Sequence, residues 1–346
     1  MKLSSVLGLA VMCLLGVSST FAQNEPNVVW EAPTPSGFAN SILGIGWSPG
    51  GAGQVAVGST DRWVRSRQAS NGALVYSVLQ PIRSGSADQT IYSSDGVFLA
   101  VHNSSGGLGY RVHRAADGVF LGTITVTVED NGLVRFAPDA QLLTAVGGDG
   151  TRLRWPIENF TVVSTVGSGY QRTTTTFNFS PNGVYQSAAS RSTITIQRRS
   201  DGATIKRLVG GATRGFTPAA FTPDSTGIAV WAASPNQTTL WRLSDGAMVM
   251  QFPGAATDEG VGAIRFMPDG ARLVTTGYLP FVDGDGLWQQ VGVIRFWRVA
   301  DGTLRNNYYR RTGIGVTSPI AWSFDAMFFA YGTYEGTTVV ARTPAP

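Results

Sequence analysis

Apolar residues in this chain come in short β-branched runs, such as Thr193 to Ile196 and Val293 to Phe296, and small polar turn residues punctuate them. No stretch carries apolar positions at the spacing of an amphipathic helix. The pattern therefore predicts an all-β chain of many short strands. One phrase recurs: an aromatic residue, a small residue, often a proline, then Asp or Asn, then Gly. It reads Trp47-Ser48-Pro49-Gly50, Tyr92-Ser93-Ser94-Asp95-Gly96, Phe136-Ala137-Pro138-Asp139 and Phe179-Ser180-Pro181-Asn182-Gly183. It continues as Phe221-Thr222-Pro223-Asp224, Phe266-Met267-Pro268-Asp269-Gly270 and Trp322-Ser323-Phe324-Asp325. The aromatics are spaced by 45, 44, 43, 42, 45 and 56 positions, which defines seven units.

A turn pair keeps the same beat: Asn71-Gly72, Asp117-Gly118, Asp201-Gly202, Asp245-Gly246 and Asp301-Gly302. The third unit has Glu158-Asn159 in that place. Asn-Gly and Asp-Gly between β-like runs signal hairpins, because both residues tolerate positive φ. Each unit then reads as four strands. A period of 40–45 residues with four strands is the signature of a propeller blade. One such sheet cannot bury both faces alone; seven around an axis can, and closure removes exposed edges. The last unit stops after its third strand, at Val339 to Arg342. Val28 to Glu31 is the candidate for the missing outer strand. The expected fold is a seven-bladed β-propeller of four-stranded antiparallel blades, closed by an N-terminal strand in the last blade.

The phrase Phe-Ser-Pro-Asp-Gly, followed by a strand, a turn and Leu-Trp-Arg before Asp-Gly, resembles bacterial WD40 repeats. Trp241-Arg242 and Trp297-Arg298 stand where the family has Trp-Asp, and Trp155 keeps the aromatic before Pro156. The resemblance covers roughly residues 27 to 342. It implies a propeller and says almost nothing about activity. The family's Gly-His dipeptide is absent, so Asp61 and Asp149, which match its turn aspartate, lack the histidine of the usual hydrogen-bond tetrad. A quinoprotein-like or generic propeller relative stays open.

Composition adds an address. Lys2, an apolar stretch from Val6 to Val17 and the small residues Thr20 and Ala22 read as a signal peptide cut after Ala22. Residues 1–22 are then the leader and 23–346 a single domain, secreted or periplasmic. The one cysteine, Cys13, falls in the leader, so the mature chain holds together without disulfides. No later stretch is apolar and long enough to span a membrane. The net charge is +4 and no basic run exceeds four residues, so nothing points to nucleic acid. Nothing in the repeat points to self-association, and a monomer is expected.

Candidate chemistry is sparse. The long sixth interval holds an excess of about a dozen residues within Gly277 to Gly292, between the second and third strands of its unit. It contains Tyr278, Phe281, Asp283, Asp285 and Trp288, and it reads as a recognition loop or as a tolerated surface insertion. Asp283 and Asp285 could offer oxygen ligands to calcium, without the further ligands of a full calcium loop. No other cofactor is expected. Asp258 and Glu259 could complete that site. Arg114, Arg198, Arg242 and Arg298 each precede a turn Asp by three positions, which reads as turn-spanning pairs rather than an anion-binding ring. The two histidines, His102 and His113, make no metal centre, and no nucleophile motif or phosphate loop occurs. The expected function is a non-enzymatic binding or scaffold module for protein or cell-surface polymer partners. The alternative is a propeller enzyme with a central metal or cofactor, lactonase-like or quinoprotein-like.

Overall fold

The computed structural model describes residues 26–35, 40–50, 53–81, 85–103, 110–124, 135–136, 142–146, 152–156, 164–166, 175–190, 193–198, 200–209, 219–233, 236–253, 260–282, 288–310 and 316–345. Among them there is no helix. Strand β1 (Val28–Pro33) comes first. The first complete sheet follows as β2 (Ile42–Trp47), β3 (Gln54–Ser59), β4 (Trp63–Gln68) and β5 (Leu74–Leu79). The second is β6 (Ala87–Tyr92), β7 (Phe98–Asn103), β8 (Tyr110–Arg114) and β9 (Phe120–Ile124). The third is β10 (Arg135–Phe136), β11 (Leu142–Val146), β12 (Arg152–Pro156) and β13 (Ser164–Val166). The fourth is β14 (Thr175–Phe179), β15 (Tyr185–Ser190), β16 (Thr193–Arg198) and β17 (Thr204–Val209). The fifth is β18 (Ala219–Phe221), β19 (Gly227–Ala233), β20 (Asn236–Arg242) and β21 (Met248–Pro253). The sixth is β22 (Gly260–Phe266), β23 (Arg272–Val282), β24 (Trp288–Arg298) and β25 (Leu304–Arg310). The last is β26 (Val316–Trp322), β27 (Phe328–Thr333) and β28 (Thr337–Arg342), with β1 beside β28. Every pairing is antiparallel, and the arrangement fits a WD40-like β-propeller.

The anchor aromatic of each unit is the last residue of its first strand: Trp47, Tyr92, Phe136, Phe179, Phe221, Phe266 and Trp322. Tyr92, Phe221 and Phe266 are buried. The residue after the anchor makes the turn. Ser180 Oγ donates to Asn182 Oδ1 at 2.8 Å and accepts the Tyr185 N–H at 2.8 Å. Thr222 bridges Asp224 and the Gly227 N–H in the same way, and Ser323 bridges Asp325 and the Phe328 N–H. Ser93 does so between Asp95 and Phe98. A single hydroxyl thus ties the exit of the first strand to the start of the second, which is why a small hydroxyl residue recurs there. Gly96, Gly183 and Gly270 take positive φ at the end of this turn, whereas Ser225 and Ala326 hold the same conformation with a side chain and carry its strain.

The Asp-Gly hairpins differ from expectation. Only the glycines have positive φ, from 67° at Gly246 to 76° at Gly118; the preceding Asp or Asn does not. The N–H of each glycine returns to the carbonyl four residues earlier, as from Gly118 to Arg114 and from Gly302 to Arg298, and the strand register slips by one residue beside the turn. These are longer loops with a bulge, not two-residue turns. The Asp is used for its carboxylate instead. Asp201 Oδ1 accepts the Ala203 N–H and Asp245 Oδ1 the Ala247 N–H, both at 3.0 Å.

The core lies between sheets. Ile194, Ile196, Ile228 and Val230 join the fourth sheet to the fifth; Trp231, Phe252, Ile264 and Trp297 join the fifth to the sixth. Phe296, Phe329, Tyr331 and Val339 join the sixth to the last. Trp30, Ile42, Val57, Ala330 and Val340 join the last sheet to the first. At that seam β1 runs beside β28, with Trp30 opposite Val340, Glu31 opposite Val339 and Ala32 opposite Thr338. Trp30 Nε1 then donates across the seam to the carbonyl of Ala69 at 2.7 Å.

Polar groups inside this core are specific. Arg65 and Asp61 pair at 2.6 Å with both side chains nearly buried, and Asp61 also accepts from Ser59 Oγ and the Trp63 N–H. Burial works to raise the Asp61 pKa, but the bonds from Arg65, Ser59 and Trp63 outweigh it and hold the carboxyl below its ordinary value. The partner of the turn aspartate Asp61 is thus an arginine of the next strand. Asp149 lies outside the described residues. His113 is 1% exposed, and its Nδ1 lies 3.0 Å from the Gly118 carbonyl. Since a carbonyl only accepts, Nδ1 carries the proton. Burial lowers the His113 pKa more than that hydrogen bond raises it.

Three outcomes follow. Gly202→Ala meets open space at φ +73° and should cost about 1 kcal/mol from the left-handed backbone alone. Gly302→Ala puts a Cβ 2.5 Å from the Gln251 carbonyl oxygen and should cost clearly more in chemical denaturation; equal costs would contradict the described packing. Deleting residues 26–35 exposes the β28 edge and should lower the melting temperature and cause aggregation seen by light scattering. His113 is neutral in the folded chain, so its contribution is complete above its unfolded pKa of 6.5 and is lost as pH falls below it. His113→Gln should flatten that part of the melting-temperature profile, by at most about 1.4 kcal/mol per pH unit.

Candidate recognition surface

The described residues of the sixth-unit insertion, 277–282 and 288–292, are strand. They lengthen β23 and β24 to 11 residues each, paired in unbroken register from Arg272 opposite Arg298 to Val282 opposite Trp288. Among the described residues the pairing with β22 reaches Tyr278 opposite Gly260, and the pairing with β25 reaches Gly292 opposite Arg310. From there to Val282 and Trp288, β23 and β24 continue as a ribbon paired with each other. Hydrogen bonding between the two strands favours this extended form, so the part of the recognition loop or surface insertion that is described is paired strand. Pro280 sits on that ribbon, where among the described residues one edge of β23 has no neighbour and a missing N–H is tolerated.

Of the residues expected to recognise a partner, Tyr278 lies at the root of the ribbon and is 37% exposed. Phe281 stands opposite Gln289 along the backbone, and Trp288 opposite Val282. The ribbon therefore brings Tyr278, Phe281 and Trp288 onto one hairpin. Asp283 and Asp285, the suggested calcium ligands, and Asp258 and Glu259 lie outside the described residues. Among the described residues no group of three or more His, Cys, Asp or Glu is placed to hold a metal.

The turn arginines are spent locally. Arg114 meets Asp117 at 2.8 Å, Arg198 meets Asp201 at 2.9 Å and Arg242 meets Asp245 at 3.0 Å; Arg298 pairs with Asp301. All eight side chains are largely solvent-exposed, so each pair steadies its own turn and contributes little to stability. His102 Nδ1 lies 2.6 Å from Asp88 and its ring packs on Tyr110. With His113 buried in a hydrogen bond to its own turn, the two histidines serve the second sheet rather than a shared site.

Sequence reasoning missed one feature of the surface. Leu74, Val75 and Leu79 of β5 are exposed, as are Val119, Phe120 and Leu121 at β9 and Met248 and Val249 of β21. These are outermost strands, and for β5 and β9 a run without charge or proline at the end of a unit was the signal available.

No family model matches this chain. It is 28% identical over 165 residues to the uncharacterized WD repeat-containing protein sll1491 of Synechocystis sp., a stretch that is 47% of this chain and 45% of that protein. The chain thus spans less than half the length of that relative. The likeness agrees with the repeated four-stranded antiparallel sheets, and both fit a WD40-like β-propeller.

Proposed function

We propose that this chain is an exported, seven-bladed propeller of WD40 type that binds a protein or a cell-surface polymer and does so without catalysis. Seven four-stranded sheets, β1 beside β28, and the packing of β2 on both β6 and β26 support a ring closed by the N-terminal strand. The leader-like residues Lys2, Val6 to Val17 and Ala22 support export to the periplasm or beyond. The WD repeats of the Synechocystis relative support an interaction role.

The observation that carries the reading is the ribbon. Its strands, 11 residues each, are the longest among the described residues, and it is rooted on a packed sheet, where recognition elements are commonly found. In this reading Tyr278, Phe281 and Trp288 supply the apolar contact area, and Asp283 and Asp285 orient the partner or hold a calcium ion.

The test is a trimmed chain in which residues 279–291 are replaced by a two-residue turn. Tyr278 and Gly292 keep their partners on β22 and β25, so the melting temperature should stay within a few degrees. The partner captured from the native envelope fraction by the full chain should be lost. Equal capture by both chains would move the binding surface elsewhere, and a trimmed chain that does not fold would make the ribbon a packing element.

A further inference from the structure

The outermost strands differ in how they treat their free edge. In β17 that edge carries Lys206 and Arg207, in β25 it carries Arg305 and Arg310, and β1 has Glu31 and Pro33. Charge and proline in these positions are the usual means of keeping edges from pairing with other chains. Strand β5, Leu-Val-Tyr-Ser-Val-Leu, has neither. It ends its sheet with only β4 beside it, and Leu74 (52%), Val75, Ser77 and Leu79 are exposed. Strand β9 is shorter and β21 ends in Pro253, so β5 is the longest undefended edge among the described residues.

We propose that β5 pairs antiparallel with β5 of a second copy of this chain, about a two-fold axis through Ser77. The axis must stand perpendicular to the sheet, so residues facing each other have numbers of the same parity. Centring it on Ser77 sets Ser77 against Ser77, Val75 against Leu79 and Tyr76 against Val78. Apolar residues then meet apolar ones on the exposed face. Pairing about Tyr76 would set Val75 against Ser77 and leave Leu79 unmatched. The occupant follows from charge: this edge can meet its own copy with no like-charged pair, whereas self-pairing of β17 or β25 would bring cations together. The neighbouring sheet adds area. Gly118 packs on Tyr76 and Val78, which places the exposed Val119, Phe120 and Leu121 alongside β5. The contact is isologous, as a closed dimer requires. It revises the monomer expected from sequence.

A pair of six-residue strands falls short of a standard interface of about 1,600 Å², so the contact is a weak one. Sedimentation of the full chain at high protein concentration should give twice the mass of the chain. Ser77→Lys, which opposes two ammonium groups at the axis while leaving the exposed face free to fold, should sediment as a monomer with an unchanged circular dichroism spectrum. In a Cys13→Ser background, Ser77→Cys should form a disulfide-linked dimer on mild oxidation, because opposed residues of antiparallel strands have Cα atoms about 4.5–5.5 Å apart. Met248→Cys on the β21 edge should not. A monomeric wild type, a dimer that survives Ser77→Lys, or equal cross-linking at both positions would overturn the proposal.

Discussion

Among the described residues no helix covers the apolar faces of the four-stranded sheets, so these faces are buried by packing sheet on sheet. Everything else in the structure serves that constraint. The anchor aromatics end the first strands, where sheets meet. Glycines on β2 let its backbone come close to β6: a Cβ on Gly44 would lie 2.8 Å from the Cα of Gln89, and one on Gly46 would lie 2.8 Å from the Thr90 carbonyl. The seams hold the larger residues, such as Phe252 against Trp297 and Phe296 against Phe329. With no disulfide available to the part of the chain after Cys13, these interfaces carry the stability.

The turns are the second level of the same solution. Each passes the chain from one strand to the next with its polar atoms satisfied internally. Where the hydroxyl is replaced, packing takes over: Met267 sits at the hydroxyl position of the sixth unit, fully buried in the seam with the last sheet. At Ser225 and Ala326 a side chain sits where other units have glycine. The repeat is therefore a set of interchangeable answers to one geometric demand, which explains why its letters drift while its spacing holds.

Much of the fold was legible because its signals are local and repeated. The aromatic beat located the ends of seven first strands, and the missing fourth strand of the last unit pointed to Val28 to Glu31, now found beside Val339 and Val340. The hairpin reading was right in place and wrong in kind, because the Asp-Gly pair does not reveal whether the Asp contributes its backbone angle or its carboxylate. The sixth insertion was read as a loop because periodicity over Gly277 to Val282 is too short to show that it continues β23. The exposed edge of β5 is marked in sequence only by a run without charge or proline, and an apolar run looks the same whether a strand is inner or outermost. The candidate ligands Asp283 and Asp285 are known from sequence alone.

The pairing of Val28 with Ala341 joins the two ends of the chain. Contacts between residues so far apart in sequence carry the largest loop-closure entropy and form late. Strand β1 pairs with β28, so the first of the described strands is among the last to settle. Until then the final sheet lacks its outer strand. The seam at Trp30 is thereby a timing device as well as a joint.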